Sequence, residues 1–300
     1  MKNFALFGAA GYIAPHHMKA IMETGNSLVC EIDQYDGIGI MDSYFPEAAF
    51  FTEPERFDRH LDKLRRQGDK KIDYVSICSP NYLHDAHIPM ALRNDAYAIC
   101  EKPLVLNPWN LDALQEIEQE TGKKNYTILQ LRLHPAIQQL YKQVIEEPND
   151  MVYDVDLTYI TSRGKWYFNS RKGDIHKSGG VATNICVHFF DMLGWIFGNF
   201  IGIELKIMQP EKTGGGLYFE KANVNWFLSV VDKDLPTEAV KAGKRTFRKI
   251  SIEVQELEFS DGFTDLHTIS YNDILESKGF GIHDVVQAIQ IVSNNRNKNA

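Results

Sequence analysis

Along the first 131 residues, short apolar runs alternate with amphipathic stretches at the helical period. Phe4-Ala5-Leu6-Phe7, Leu28 to Ile32, Ala49-Phe50-Phe51, Tyr74 to Cys78, Ala98-Ile99-Cys100 and Thr127 to Leu131 read as buried strands. Between them, Glu55 to Arg66 puts Phe57, Leu61 and Leu64 on one face and charges on the other. Asn107-Pro108 reads as N-cap and first helical position of another helix, with Gly122 to stop it. Strand–helix alternation of this kind predicts a doubly wound parallel sheet. Beyond residue 132 the pattern changes. A linking helix over 136–147 ends at Pro148, and Tyr153 to Ile160 then alternates at the strand period. Further strands are expected near 202–209, 222–231, 248–254 and 256–260, with a helix from Thr183 to Phe197 lying across them. The prediction is two domains: residues 1–132, an α/β Rossmann-type parallel sheet, and 133–300, an α+β domain with a mostly antiparallel open sheet and helices.

Composition narrows the choice of partners. The chain is 44% apolar and carries a formal net charge of −8, so it can bury sizeable cores and lacks the broad basic surface that nucleic acid or an anionic membrane needs. Its four cysteines are widely spaced, which suggests neither a metal site nor a disulfide framework. Met1-Lys2-Asn3 leads straight into a strand without a signal-type region, and no apolar run is read as reaching spanning length. A cytoplasmic location is expected.

Two stretches of the first domain carry candidate chemistry. Gly8-Ala9-Ala10-Gly11-Tyr12-Ile13-Ala14 follows the first strand; its glycines allow a tight turn, and the helix that begins there offers N–H groups to a pyrophosphate. Asp33 closes the second strand where a carboxylate binds the ribose hydroxyls. No arginine follows in Gln34-Tyr35-Asp36, so NAD is favoured over NADP. The fifth strand ends in Glu101-Lys102-Pro103, at the edge where open α/β sheets bind their ligands, and a lysine there could exchange a proton with substrate. Asn81 can shape a loop against a cofactor. His84 and His87, three residues apart with no acid or cysteine to complete a ligand set, read as packing or capping residues.

In the second domain, the loop from Ser162 to Gly180 sets Arg163, Lys165, Arg171, Lys172 and Lys177 against Asp174 and includes Trp166-Tyr167-Phe168. Such a loop can bind phosphate or carboxylate and stack on a sugar or base, although a solvated basic loop would have the same composition. On a helix of about 100° per residue, Asn184, His188, Asp191 and Trp195 share a stripe, so Asp191 could orient the ring of His188 as a second proton-handling group.

In this order, Ser79-Pro80-Asn81-Tyr82-Leu83-His84, Glu101-Lys102-Pro103 and the segment from Gly179-Gly180 through Asn184, His188 and Asp191 resemble the Gfo/Idh/MocA superfamily. Gly11 to Pro15, Tyr74 to Asp85, Leu104 to Asn110 and Gln130 to Pro135 further resemble its bacterial UDP-N-acetylglucosaminuronate 3-dehydrogenases. The resemblance implies oxidation of the sugar C3 hydroxyl by NAD, for the synthesis of diacetamido uronic acids of surface polysaccharide such as O-antigen. It also implies a homodimer or homotetramer and, as in some members, reoxidation of held NADH by 2-oxoglutarate. Carried over by position, Lys102 and His188 are the catalytic pair. Cofactor contacts fall on Gly8, Gly11, Tyr12, Ile13, Asp33, Ser79, Asn81, His84, Glu101, Lys102 and Gln130. Substrate contacts fall on Glu101, Arg163, Lys165, Tyr167, Lys177, Thr183, Asn184 and His188, with no metal. Three places depart from the family pattern: His16 stands where arginine is expected before His17, Cys186 where a small residue is expected, and Asn94-Asp95 with Tyr97 replaces a tighter glycine turn. The competing readings are a dehydrogenase of a free sugar or inositol, and a non-catalytic NAD-binding regulator.

Overall fold

The computed structural model describes residues 1–68, 70–147, 151–252, 255–259, 262 and 264–297. The chain divides into two compact units: Met1–Leu129 with Asp265–Val286, and Gln130–Thr264 with Gln287–Ala300.

The first unit is built on six parallel strands, β1 (Asn3–Phe7), β2 (Ser27–Ile32), β3 (Ala49–Phe51), β4 (Tyr74–Ile77), β5 (Tyr97–Cys100) and β6 (Asn125–Thr127), in the order β3-β2-β1-β4-β5-β6. Its helices are α1 (Ala14–Glu23), α2 (Pro54–Gln67), α3 (His84–Arg93) and α4 (Trp109–Thr121). The central strands are apolar because they are covered on both sides; Phe4, Ala5, Leu6, Val75, Ile77 and Ile99 are fully buried. Two boundaries differ from the sequence reading. The helix α4 starts at Trp109, with Pro108 at the cap and no side-chain cap bond, rather than on Asn107. β6 is shorter and earlier than 127–131, because Gln130–Leu133 turns into a 3₁₀ segment and buries its leucine without strand pairing.

Residues 265–286 also differ from expectation, since they belong with the first unit and not with the rest of 133–300. The reason is packing. Tyr271 and Ile274 of α10 (numbered after the second-unit helices below; Leu266–Leu275) complete the core formed by Phe4, Met18 and Ile21, and the Tyr271 ring stacks on Phe4 at 5.8 Å. A helix whose apolar residues follow no clear stripe gives little sign in sequence of which core it will join.

The second unit holds a mixed sheet of β7 (Tyr153–Thr161), β8 (Phe200–Gln209), β9 (Lys212–Phe219), β10 (Ala222–Ser229), β11 (Thr246–Ile252) and β12 (Gln255–Glu258), in the order β12-β11-β7-β10-β9-β8. Only the β7–β10 pair is parallel among the described pairings. The sequence reading missed β9, whose Gly214-Gly215-Gly216 disguises a strand. A side chain at Gly214 would lie 2.7 Å from the Trp226 carbonyl oxygen, and one at Gly215 would lie 2.0 Å from that of Glu204. Its helices are α5 (Pro135–Glu146), the single turns α6 (Trp166–Asn169) and α7 (Ile175–Ser178), α8 (Val187–Phe197) and α9 (Thr237–Lys241). The linking helix expected over 136–147 is α5; Pro148 lies outside the described residues.

The helix α8 packs on the sheet through Phe190 against Trp226 at 5.1 Å and Phe189 against Tyr159 at 4.6 Å. The helical run Ile175–Phe197 is long and apolar enough to cross a membrane, against the expectation that no run reaches that length; 67% of its most apolar window is buried within the protein. A helix that covers a sheet must be apolar nearly all round, which explains the composition.

Candidate active site

The first unit gathers the expected cofactor residues at the carboxyl edge of its sheet. Gly8 has φ +84°, and a Cβ there would lie 2.7 Å from the Cys78 carbonyl oxygen, so only glycine fits the turn. The first turn of α1 has no side-chain cap; the Ala14 and His16 N–H groups donate to the Gly11 and Ile13 carbonyl oxygens at 3.2 and 3.0 Å, and Pro15 has no N–H. At the tip of β2, Asp33 accepts from the N–H groups of Ala10 and Tyr35, both at 3.0 Å. These bonds aim its carboxylate beside the glycine turn, as a ribose-binding acid requires. Tyr12 is exposed and Ile13 half-buried on the same turn. A tight glycine cradle and an aimed acid fit a dinucleotide.

The Ser79 and Glu101-Lys102-Pro103 turns are held together by a buried ring. His84 places Nδ1 2.8 Å from the Pro103 carbonyl oxygen and Nε2 3.0 Å from that of Ser79. Burial pushes the imidazole below its ordinary value, against the pull of the two carbonyls. His84 thus acts on the cofactor edge by fixing these loops. His87 stacks on Phe7 at 4.0 Å and reaches the Ser79 hydroxyl at 2.9 Å; burial, then His84, pushes it down to about 4. The Lys102–Pro103 bond is cis, Lys102 is half-buried and Asn81 lies partly exposed on the neighbouring turn.

Glu101 is buried, and its surroundings were not readable from sequence. Its Oε1 lies 3.1 Å from Nε2 of His17 and 3.1 Å from Nε2 of His267, while its Oε2 accepts from the Lys102 N–H at 3.3 Å. Burial pushes the carboxyl up, but the two imidazole donors outweigh it and hold it well below the usual range. His17 Nδ1 in turn lies 2.7 Å from the Tyr271 hydroxyl, which lies 2.6 Å from that of Ser76. The ligand atoms of His17, Glu101 and His267 lie within 4.8 Å of one another, a donor set that sequence spacing conceals because His267 is 166 residues from Glu101. In sequence, only the His16-His17 doublet hinted at it.

In the second unit, the expected single helix from Thr183 is two segments. Ala182–Cys186 forms a π turn, and α8 begins only at Val187. The wider turn breaks the register in which Asn184 and His188 were placed on one stripe. A Cβ on Gly179 (φ +80°) would lie 2.6 Å from Thr183, so the turn entering this segment also requires glycine. Thr183 is fully buried, and Asn184 donates to the Tyr167 hydroxyl at 3.0 Å. Asp191 is gripped by Arg132, whose Nε and Nη2 donate at 2.9 and 2.6 Å. This forked pair, rather than His188, is where the Asp191 carboxylate is held, and it anchors the helix one turn beyond His188. His188 is half-buried.

The basic loop keeps its cations close with little acid among them. Arg163, Lys165 and Lys177 are exposed, and Lys177 lies 3.8 Å from Asp174. Lys172 sits 5.8 Å from the Trp166 ring; burial, then Arg163 and Arg171, pushes its ammonium below the usual value. Cations that disfavour one another become favourable when an anion binds among them. Gln130, expected at the cofactor, opens the 3₁₀ turn at the start of this unit.

A parallel α/β sheet with a glycine cradle, an acid at the second strand tip and a lysine at the fifth is the arrangement of a dinucleotide-binding Rossmann domain. The chain belongs to the Gfo/Idh/MocA oxidoreductase family: the model of its NAD-binding Rossmann fold matches residues 2–129 and that of its C-terminal alpha/beta domain matches 138–225. Among solved structures it is similar to the WlbA (WbpB) dehydrogenase from Thermus thermophilus, in complex with NAD and alpha-ketoglutarate and in complex with NAD and UDP-GlcNAcA. In both cases identity is 48%, the TM-score is 0.95, and 99% of this chain and 95% of that chain are covered. The WlbA dehydrogenase from Bordetella pertussis, at 15% identity and TM-score 0.79 over 100% of this chain and 96% of that one, shares the fold. Inositol 2-dehydrogenase of Rhizobium meliloti (strain 1021) is 27% identical over 200 residues, 65% of this chain and 55% of that protein. The chain spans about half the length of the curated relatives it matches.

Proposed function

We propose that this protein oxidises the C3 hydroxyl of UDP-N-acetylglucosaminuronate to the 3-keto sugar with NAD. The observation that carries the reading is the 48% identity, over 99% of the chain, to a dehydrogenase solved with NAD and UDP-GlcNAcA. Bound NAD supplies the hydride acceptor. Lys102, at the carboxyl end of β5, and His188, at the start of α8, handle the hydroxyl proton. Arg163, Lys165, Lys172 and Lys177 supply charge for the diphosphate and uronate, and the buried Tyr167 orients Asn184 through its hydroxyl. Glu101 acts by fixing the turn that carries Lys102. Held NADH returns its hydride to 2-oxoglutarate, as the complex of the Thermus enzyme with alpha-ketoglutarate suggests. The enzyme works in the cytoplasm as a homodimer or homotetramer, supplying diacetamido uronic acids for O-antigen.

The test is to mix protein and NAD with UDP-N-acetylglucosaminuronate, or with free glucuronate or inositol, and follow reduced nicotinamide. Reduction with the UDP-sugar alone is expected. Preference for a free polyol overturns the substrate, and reduction with none of them overturns the enzyme reading in favour of a non-catalytic NAD-binding protein.

A further inference from the structure

Three segments far apart in the chain converge on one carboxylate of the first unit. His17 lies in α1, Glu101 follows β5 and His267 lies in α10, and one ligand atom of each falls within 4.8 Å of the other two. Hydrogen bonds alone compensate this carboxylate loosely. Both imidazole nitrogens stand 3.1 Å from the same oxygen, Oε1, whereas a charge-assisted N–H···O bond runs to about 2.7–2.9 Å. The Lys102 N–H reaches Oε2 only at 3.3 Å. Arg132, by contrast, meets Asp191 at 2.6 and 2.9 Å.

Separations of this size are those of ligands around an ion. A tetrahedral ion bound at about 2.0–2.1 Å by nitrogen and oxygen sets its ligand atoms about 3.3 Å apart, and two imidazoles with one carboxylate hold zinc with one position left open. The groups that would orient the ligands are in place too. His17 Nδ1 lies 2.7 Å from the Tyr271 hydroxyl, and that hydroxyl lies 2.6 Å from the one on Ser76. Bound through Nε2, the ring carries its proton on Nδ1 and donates to Tyr271, which donates to Ser76, so coordination leaves no bond of that chain unmade. Glu101 and His267 are each 7% exposed, and the exposed His16 ring stacks on His267 at 5.3 Å. A neutral imidazole at that position does not repel an approaching dication as a fixed cation would.

We infer that His17, Glu101 and His267 form a binding site for one divalent transition-metal ion of the zinc class. Mg2+ and Ca2+, which take oxygen ligands, are disfavoured because two of the three ligands are imidazoles. The bound ion clips α10 to α1 and to the turn that carries Lys102, and its binding free energy adds to the stability of the first unit.

The experiment uses the untagged full chain, stripped with a chelator and free of substrate and NAD, so its outcome is separate from the function proposed above. Zn2+ is added, the excess is removed by gel filtration, and metal per chain and unfolding temperature are measured. About one Zn2+ per chain and a raised unfolding temperature are expected, and an excess of Mg2+ should not displace the ion. His267→Gln is expected to retain no zinc and to show no thermal shift, while His176→Gln, on the exposed loop of the second unit, should bind as the unaltered protein does. His16→Arg keeps all three ligands and sets a fixed cation beside them; it should weaken Zn2+ binding by at least about tenfold at low salt, and by less as salt is raised. No retained zinc overturns the inference, as does full retention by His267→Gln or loss of binding in His176→Gln. If His267→Gln does not fold, His16→Arg decides: affinity equal to that of the unaltered protein at every salt concentration overturns the site.

Discussion

Each unit buries a carboxylate next to a residue of the proposed catalytic pair, and the two are compensated in opposite ways. Asp191, three residues beyond His188, is held by the fork of Arg132, a cation that keeps its proton at every relevant pH. Glu101, next to Lys102, is held by two imidazoles, which can gain or lose one. A guanidinium makes a fixed anchor, whereas imidazoles make a site whose charge can change. Glu31 is a third case. It is 1% exposed, and neither carboxylate oxygen accepts a hydrogen bond among the described residues. With nothing to hold its charge, burial and then Asp33 push it up to about 8, so it is neutral at neutral pH.

The largest effect should follow from breaking the fixed pair. Arg132→Met takes the guanidinium away from the buried Asp191 carboxylate and should cost about 3–5 kcal/mol of unfolding free energy in denaturant titration. A loss under about 1 kcal/mol would mean that the pair is not an anchor. Glu31 tests the uncompensated case. Its folded-state value is raised, so its contribution is fully present below about pH 4.5 and is lost as pH rises to about 8. Glu31→Gln should therefore gain about 4 kcal/mol relative to the parent between about pH 5 and pH 9. Equal pH profiles for the two proteins would show that Glu31 is ionised in the fold. The smallest effect belongs to an exposed pair that also ties α10 to α1. Lys19 and Asp265 meet at 2.6 Å but are 39% and 51% exposed, so Asp265→Asn should cost under about 1 kcal/mol, and less in high salt. A salt-independent loss above that would place the attachment of α10 in this contact rather than in Tyr271 and Ile274.

The same contrast explains what could be read from the chain. The parallel sheet, the glycine cradle and Glu101-Lys102-Pro103 are local in sequence, each strand being one contiguous run. The imidazole cluster joins residues 17, 101 and 267, and neither spacing nor patterning connects those positions. Arg132–Asp191 was hidden for another reason: Arg132 lies 59 residues away on a 3₁₀ turn, and no periodicity ties that turn to α8. β9 was hidden because close strand spacing demands glycines, which read as turns.

The most direct test of the proposed chemistry is single-turnover reduction of NAD by the Lys102→Ala protein, with NAD affinity measured alongside. NADH formation slowed by about 10²–10⁴-fold with NAD still bound is the expected result. Reduction at the rate of the unaltered protein would contradict the role of Lys102 and, with it, the assignment of the β5 edge as the place where the proton leaves the sugar.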